Sequence, residues 1–499
     1  MAEHLITIEE ARENLLACAA FLAEDIKSAD GHAEAMKTIV PYYLAKDNVD
    51  LAAEFSNTIE DPFTRGKLLT IVAAKCALID DDEYAMQLVE AIEDHGMQAQ
   101  AIEKISLQQS YRGDFEKALL TAEGLDHPEY AFADIAVHLM GKGEYTKADQ
   151  LLDKIEFSNA RVSALLAMAS SNIINKDEAK AAELLEKALV STSEIEHAEE
   201  KIRALNDLGN LFIEAKRPAR AIEIYDKAKQ SAEKLDNTHR DLLLGTTALG
   251  FFRAGSIDLA DRSLDLVNDK TQMASVLIGY SREYWKQNVK TDAIETLEEA
   301  YQILKSQHER ETRDSRAKYN LFTTIAVSFA SYEKPERAIE IAQENPDESE
   351  QISALSQIAQ VLASQGNDVL ARQSLNAIPE DSQRLFALIG VSDAKNGAEN
   401  REEAIRLLNE AAQLAESIPQ LSARSQALNE LANRFHNYGE TEKAREISHE
   451  NLETISEIRD ESIRAVALAN LAELYEDAKF ELTEPEKEIL YTMIRKAGW

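Results

Sequence analysis

Short polar turns and amphipathic helical stretches alternate along almost the whole chain, and the turns return with a recurring phrase. A polar turn is followed after a few residues by an alanine and then by a helix with one apolar face. GDFEKALL from Gly113, KRPARAIEIY from Lys216 and GETEKAREI from Gly439 are three of its copies. The alanines stand at Ala52, Ala85, Ala118, Ala148, Ala181, Ala221, Ala260, Ala293, Ala338, Ala371, Ala404 and Ala444. Six of the eleven intervals between them are 33 residues, a period that belongs to stacked helical hairpins. Two intervals are 40, an excess of seven, which is about two turns at roughly 3.6 residues each. Lengthening a helix by that amount keeps its apolar stripe on nearly the same face. The stretches Ser191–Lys201, Ser231–Arg240 and Ser306–Arg316, where intervals are long, therefore read as extended hairpins.

Twelve places before each alanine, where the first helix of a pair comes close to the second, the pattern asks for another small residue. Eleven of those twelve positions hold Gly, Ala or Ser, with Val40 the exception. A lone hairpin of short helices cannot bury its apolar face and is marginal in water. Stacking one hairpin on the next buries a continuous core. Asp47, Asp80 and Asp114 suit helix capping, and Pro218 and Pro335 suit first-turn positions. Pro41 falls inside a helix and is expected to kink it.

From Leu205 to Ala228 the chain reads LNDLGNLFIEAKRPARAIEIYDKA. Leu208-Gly209, Phe212, Ala221, Tyr225 and Ala228 resemble the signature of the tetratricopeptide repeat family, with Leu205 in place of its tryptophan and Glu233 in place of its closing proline. The resemblance covers about residues 32–460 and implies an all-α, right-handed α-α superhelix of about twelve hairpins with terminal capping helices. Residues 1–31 are expected to supply an N-terminal capping helix, Ile8 to Ile26. Residues 461–499 are expected to supply a degenerate last repeat and a C-terminal cap. That last helix begins at Thr483 with a capping box to Glu486, and Trp499 is placed to seal the final groove.

Glycine and proline are scarce, 17 and 9 in 499 residues, which argues against a turn-rich sandwich or barrel. No apolar run approaches the length of a membrane span. The opening MAEHLIT has no basic stretch ahead of an apolar core, so a cytoplasmic protein is expected. The two cysteines, Cys18 and Cys76, lie in apolar helical runs and form neither a disulfide framework nor a zinc pattern. With 54 basic and 90 acidic side chains the formal charge is −36, which repels nucleic acid and anionic membranes.

Nothing in the chain has the spacing of a catalytic motif, a phosphate-binding loop or a metal site, and no cofactor is expected. Asp80-Asp81-Asp82-Glu83 lacks the spacing of a calcium loop. The reading is a non-catalytic scaffold or adaptor for a protein or peptide. A ligand-responsive regulator is the second alternative and an enzyme the third. An uncapped repeat end would also let two copies associate. In the family that the chain resembles, ligands lie along the face of the first helices, at positions 2, 5, 9, 12 and 13 when the small residue is counted as 8. Those positions hold Arg203, Asn206 and Asn210 in one copy and Gln426, Asn429, Asn433 and His436 in another. Asparagines one turn apart offer donors and acceptors to an extended backbone. The subclass that grips carboxylate termini wants lysine at position 5, where this chain has Asn206 or Asn429. Arg282 and Trp285 fall on the same face, either as binding anchors or as packing for nearby long helices.

Overall fold

The computed structural model describes residues 4–307 and 314–497. Trp499 lies outside them, as does much of the Ser306–Arg316 stretch. Among the described residues there are twenty-eight helices and no strand, so the fold is all-α. From α3 (Ala29–Ala45) and α4 (Val49–Asn57) to α25 (Leu421–Asn437) and α26 (Thr441–Glu457), twenty-four helices run in sequence as twelve pairs.

The register explains the lengths. First helices are mostly 17 residues long. Second helices are 8 to 10 residues where the interval is 33, as in α4, and 15 to 17 where it is longer. The extra turns thus sit in α12 (Glu178–Ser193), α14 (Pro218–Ala232), α18 (Lys290–Ser306) and α24 (Arg401–Ala415). All twelve alanines are buried, and so are the twelve positions ahead of them, Val40 and Gly209 included. Where that position is serine the contact becomes a hydrogen bond. Ser281 Oγ donates to the carbonyl of Ala293 at 2.7 Å, and Ser392 Oγ to that of Ala404 at 2.9 Å.

Each first helix ends in the same way. Seven residues beyond the small position the backbone turns left-handed, at Asp47, Asp80, Gly113 and ten further places. The next N–H then bonds back to the carbonyl five residues earlier, Asn48 to Tyr43 at 3.0 Å and Asp81 to Cys76 at 2.9 Å. This corrects two of the expected caps. Asp47 and Asp80 occupy the left-handed position, and the residues after them, Asn48 and Asp81, cap the second helices by accepting from Leu51 N and Tyr84 N. Asp114 is an N-cap by position but makes no side-chain capping bond. Pro218 and Pro335 sit in first turns as expected. Helix α3 runs on through Pro41.

The helices form two compact units, Gln109–Ala354 and a second made of Met1–Gln108 together with Leu355–Trp499. The two ends of the chain therefore belong to one body. Where a single helix was expected over 8–26, there are two, α1 (Ile8–Glu13) and α2 (Leu15–Glu24). Asn14 divides them with an extended backbone, and its side chain caps α2 by accepting from Ala17 N at 2.9 Å. Nine of the ten residues of α2, LLACAAFLAE, are buried. A helix apolar all round needs neighbours all round, and α2 packs on α1, α3, α27 (Glu461–Asp477) and α28 (Glu484–Lys496).

Helix α27 ends in the usual left-handed turn, at Lys479, yet α28 lies on α26, α1 and α2. The seat of a second helix beside α27 is filled by α2, from the opposite end of the sequence, so these two complete a thirteenth hairpin. Helix α3 follows α27 as the next first helix. Lys46 pairs with Glu476 at 2.7 Å, and the Tyr42 hydroxyl lies 2.9 Å from Glu473 Oε2 and 3.2 Å from Asn470 Oδ1. Burial and the Glu473 carboxylate raise the Tyr42 hydroxyl above its ordinary pKa, keeping it a donor. His32, at the start of α3, bridges the Ala23 carbonyl and Thr58 Oγ1 at 2.9 and 2.8 Å. Helix α28 is anchored by Glu486, fully buried, which accepts from Thr483 N at 2.8 Å, Tyr475 OH at 2.8 Å and the Arg445 guanidinium.

Candidate functional site

Of the residues expected on a ligand face, those in the Gln109–Ala354 unit are mostly engaged internally. In α13 (Ala198–Glu214) Arg203 is exposed, but Asn206 is only 2% exposed and accepts from Thr247 Oγ1 of α15 (Arg240–Arg253) at 2.9 Å. Asn210 is half-buried and accepts from Tyr225 OH of α14 at 2.9 Å. These two asparagines join helices, which corrects the expectation that both stand outward. The next hairpin lies over position 5, and a long tyrosine reaches position 9. In α17 (Lys270–Lys286) Arg282 is exposed. Trp285 stacks on Tyr332 with ring centroids 4.3 Å apart, and Lys290 Nζ sits 4.8 Å from its ring. Trp285 is thus packed against the neighbouring hairpin, the second of the two roles open to it.

The other unit holds Gln426, Asn429, Asn433 and His436, all on α25. Gln426 is exposed, and Asn429 is half-buried with its Oδ1 out of solvent and without a hydrogen-bond partner among the described residues. Asn433 donates to the Asn429 carbonyl at 3.0 Å. His436 stands edge-on to Phe480 at 6.4 Å, and its Nδ1 is buried without a hydrogen-bond partner among the described residues. On the preceding first helix, α23 (Asp381–Gly397), position 9 is Asp393. It is taken up by Arg434 Nε at 3.1 Å and Tyr438 OH at 2.7 Å. Burial, with the Asp393 carboxylate beside it, pushes the Tyr438 hydroxyl up to about 12.

Gln426 and Asn429 line a groove of about 510 Å³ between α25 and α27. The α25 wall adds Ser422, Ala423, Ser425 and Glu430, with Gln420 at its mouth, and the α27 wall consists of Ile463, Val466, Ala467 and Asn470. These last four recur three and four residues apart, one face of the helix. Ile463 is 43% exposed, a large apolar group left open to solvent. Glu430 is the one charged side chain of the lining, and it pairs with Arg434 at 3.2 Å. Ser425 is tied down, its Oγ donating to Asn451 Oδ1 at 2.7 Å. The groove thus presents amides and hydroxyls over a floor of methyl groups, with Glu430 at its edge. The α27 residues were missed in the sequence because that stretch reads as a degenerate cap, although Leu471, Ala472 and Tyr475 are in register there. Asn470 lies at position 6, outside the positions expected to face a ligand.

No protein-family model matches the chain, and no curated protein matches it. Solved structures do. Ton1535 from Thermococcus onnurineus NA1 is 17% identical over 81% of this chain and 98% of its own, with a TM-score of 0.24. A signal transduction ATPase with a tetratricopeptide repeat sensor, PH0952 from Pyrococcus horikoshii, is 13% identical over 73% and 66%, with a TM-score of 0.28. The apo quorum sensor NprR from B. thuringiensis is 13% identical over 65% and 97%, with a TM-score of 0.25. Likenesses at these scores carry no argument, and the fold stands on the chain's own helices. Among the described residues no group of His, Cys, Asp and Glu could hold a metal ion, and no helix is long and apolar enough to cross a membrane.

Proposed function

We propose that the protein is a non-catalytic binding module that takes an extended segment of a protein or peptide partner in the α25–α27 groove. The observation that carries the proposal is a groove in which the exposed amide of Gln426 and the half-buried side chain of Asn429 stand opposite the apolar wall of Ile463, Val466 and Ala467. An extended peptide backbone supplies both N–H donors and carbonyl acceptors, and amide side chains meet both. The floor of Ala423, Val466, Ala467 and the open Ile463 suits apolar ligand side chains. Glu430, the charged residue of the lining, pairs with Arg434 at 3.2 Å. The formal charge of −36 disfavours nucleic acid as the partner.

The test is selection of binders from a random peptide library on the full chain, followed by affinity measurement on variants. Gln426→Ala/Asn429→Ala should weaken a selected peptide by about tenfold or more, ~1.4 kcal/mol, at unchanged helical content. Arg203→Ala, an exposed position in the other unit, should leave it unchanged. Equal affinity for both variants would remove the groove from the account.

A further inference from the structure

We propose that the N-terminal helix α2 regulates the groove, so that seating of α2 against α27 and occupancy of the groove favour one another; this rests on the groove reading above. Helix α27 has two unlike faces. Ile463, Val466, Ala467 and Asn470 line the groove, whereas Ala465, Leu468, Leu471 and Leu474 are fully buried in the packing. Besides α25, α26 and the hydrogen bond from Tyr475 to Glu486 of α28, helix α27 packs on α2 and α3, from the other end of the sequence. In an ordinary repeat array a helix leans on its neighbours in sequence. This groove wall leans on residues more than four hundred positions away.

Asn470 joins the two sides. It lines the groove, and its Oδ1 shares the Tyr42 hydroxyl with Glu473, which belongs to the contact between α27 and α3. Proteins open locally over a range of free energies below that of global unfolding, and α2 is divided from α1 at Asn14 and joined to α3 by a short link. When α2 leaves, the apolar face of α27 loses its cover and the groove loses a fixed wall. A ligand bridging α25 and α27 holds that wall in place and so favours the seated state. Coupling of this kind is reciprocal, because each event changes the free energy of the other by the same amount.

The probe is a selected peptide whose binding depends on Gln426 and Asn429. Amide hydrogen exchange of α2 is measured in the full-length protein with and without saturating peptide. The peptide's Kd is then compared between wild type and Phe21→Ala, which removes a ring that is 1% exposed in α2 and does not line the groove. The proposal expects exchange in α2 to slow by about fivefold or more, and affinity for Phe21→Ala to fall by a similar factor. Unchanged α2 exchange in a wild type that binds the peptide overturns the coupling and leaves the groove reading standing. Because that measurement uses the native chain, it decides the matter even if Phe21→Ala folds poorly. Failure to select any peptide sensitive to Gln426 and Asn429 overturns the groove reading, and the coupling with it.

Discussion

At the scale of single residues, the most repeated device is the left-handed turn that ends each first helix. Five of these positions are glycine and eight are not. A side chain in that conformation costs about 1–2 kcal/mol, whereas glycine enters it freely. Glu399, with φ of 61°, sits at such a turn, and Glu399→Gly should raise stability by about 0.5–1 kcal/mol in urea unfolding. Gly366, with φ of 79° and open space where a Cβ would stand, should lose about 1 kcal/mol on change to alanine. Glu486 makes a second residue-level prediction. Burial works against its charge, but the Thr483 N–H, the Tyr475 hydroxyl, the Arg445 guanidinium and the Thr483 hydroxyl outweigh burial and hold the carboxyl at about 2. Its folded pKa is below the unfolded value of about 4.3. Its contribution is therefore complete above the unfolded value and is lost as pH falls through about 2. The urea midpoint of the wild type should drop more steeply between about pH 5 and 2 than that of Glu486→Gln, which starts lower. The sequence showed Glu486 as a cap residue only, since its partners on α26 and α27 are far away in number. Asn206 and Asn210 were placed on the right helix and misjudged in exposure for the same reason. Register says which way a residue points, and only the neighbouring hairpin says what covers it.

At the scale of elements, helix pairs were legible because small residues at a fixed spacing are a packing requirement that composition cannot hide. Tyr225 shows how tight that packing is. It is fully buried between Gly209 of α13 and Gly250 of α15, and an added Cβ at Gly209 would stand 2.5 Å from its ring. Gly209→Ala should therefore destabilise the protein by about 1–3 kcal/mol, read as a lower thermal midpoint. The double change Gly209→Ala/Tyr225→Leu should recover part of the loss. The apolar character of LLACAAFLAE was equally plain in the sequence, but periodicity reports a face and never its partner. Nothing local distinguishes a helix that caps an array from one that completes its last hairpin, and so the closing role of α2 and the α27 wall of the groove stayed hidden.

At the scale of the whole molecule, 90 acidic and 54 basic side chains give a field of one sign that resists compaction. Much of the local charge is paired along the helices, as in Arg337 with Glu298 at 2.7 Å and Arg220 with Glu186 at 2.8 Å. Such exposed pairs contribute little each, so the net repulsion governs the response to salt. The melting temperature should rise as sodium chloride is raised from low to physiological ionic strength, and a fall would show that the pairs outweigh the net charge. The contact between first and last helices has a consequence for how the chain is made. Helix α2 leaves the ribosome early, but its seat on α27 does not exist until more than four hundred further residues have followed. At about 5–20 residues per second, that leaves a largely apolar helix without its partner for roughly 20–90 s. Helix α2 is thus made well before the helix it packs on, and during that interval its apolar side chains need shelter.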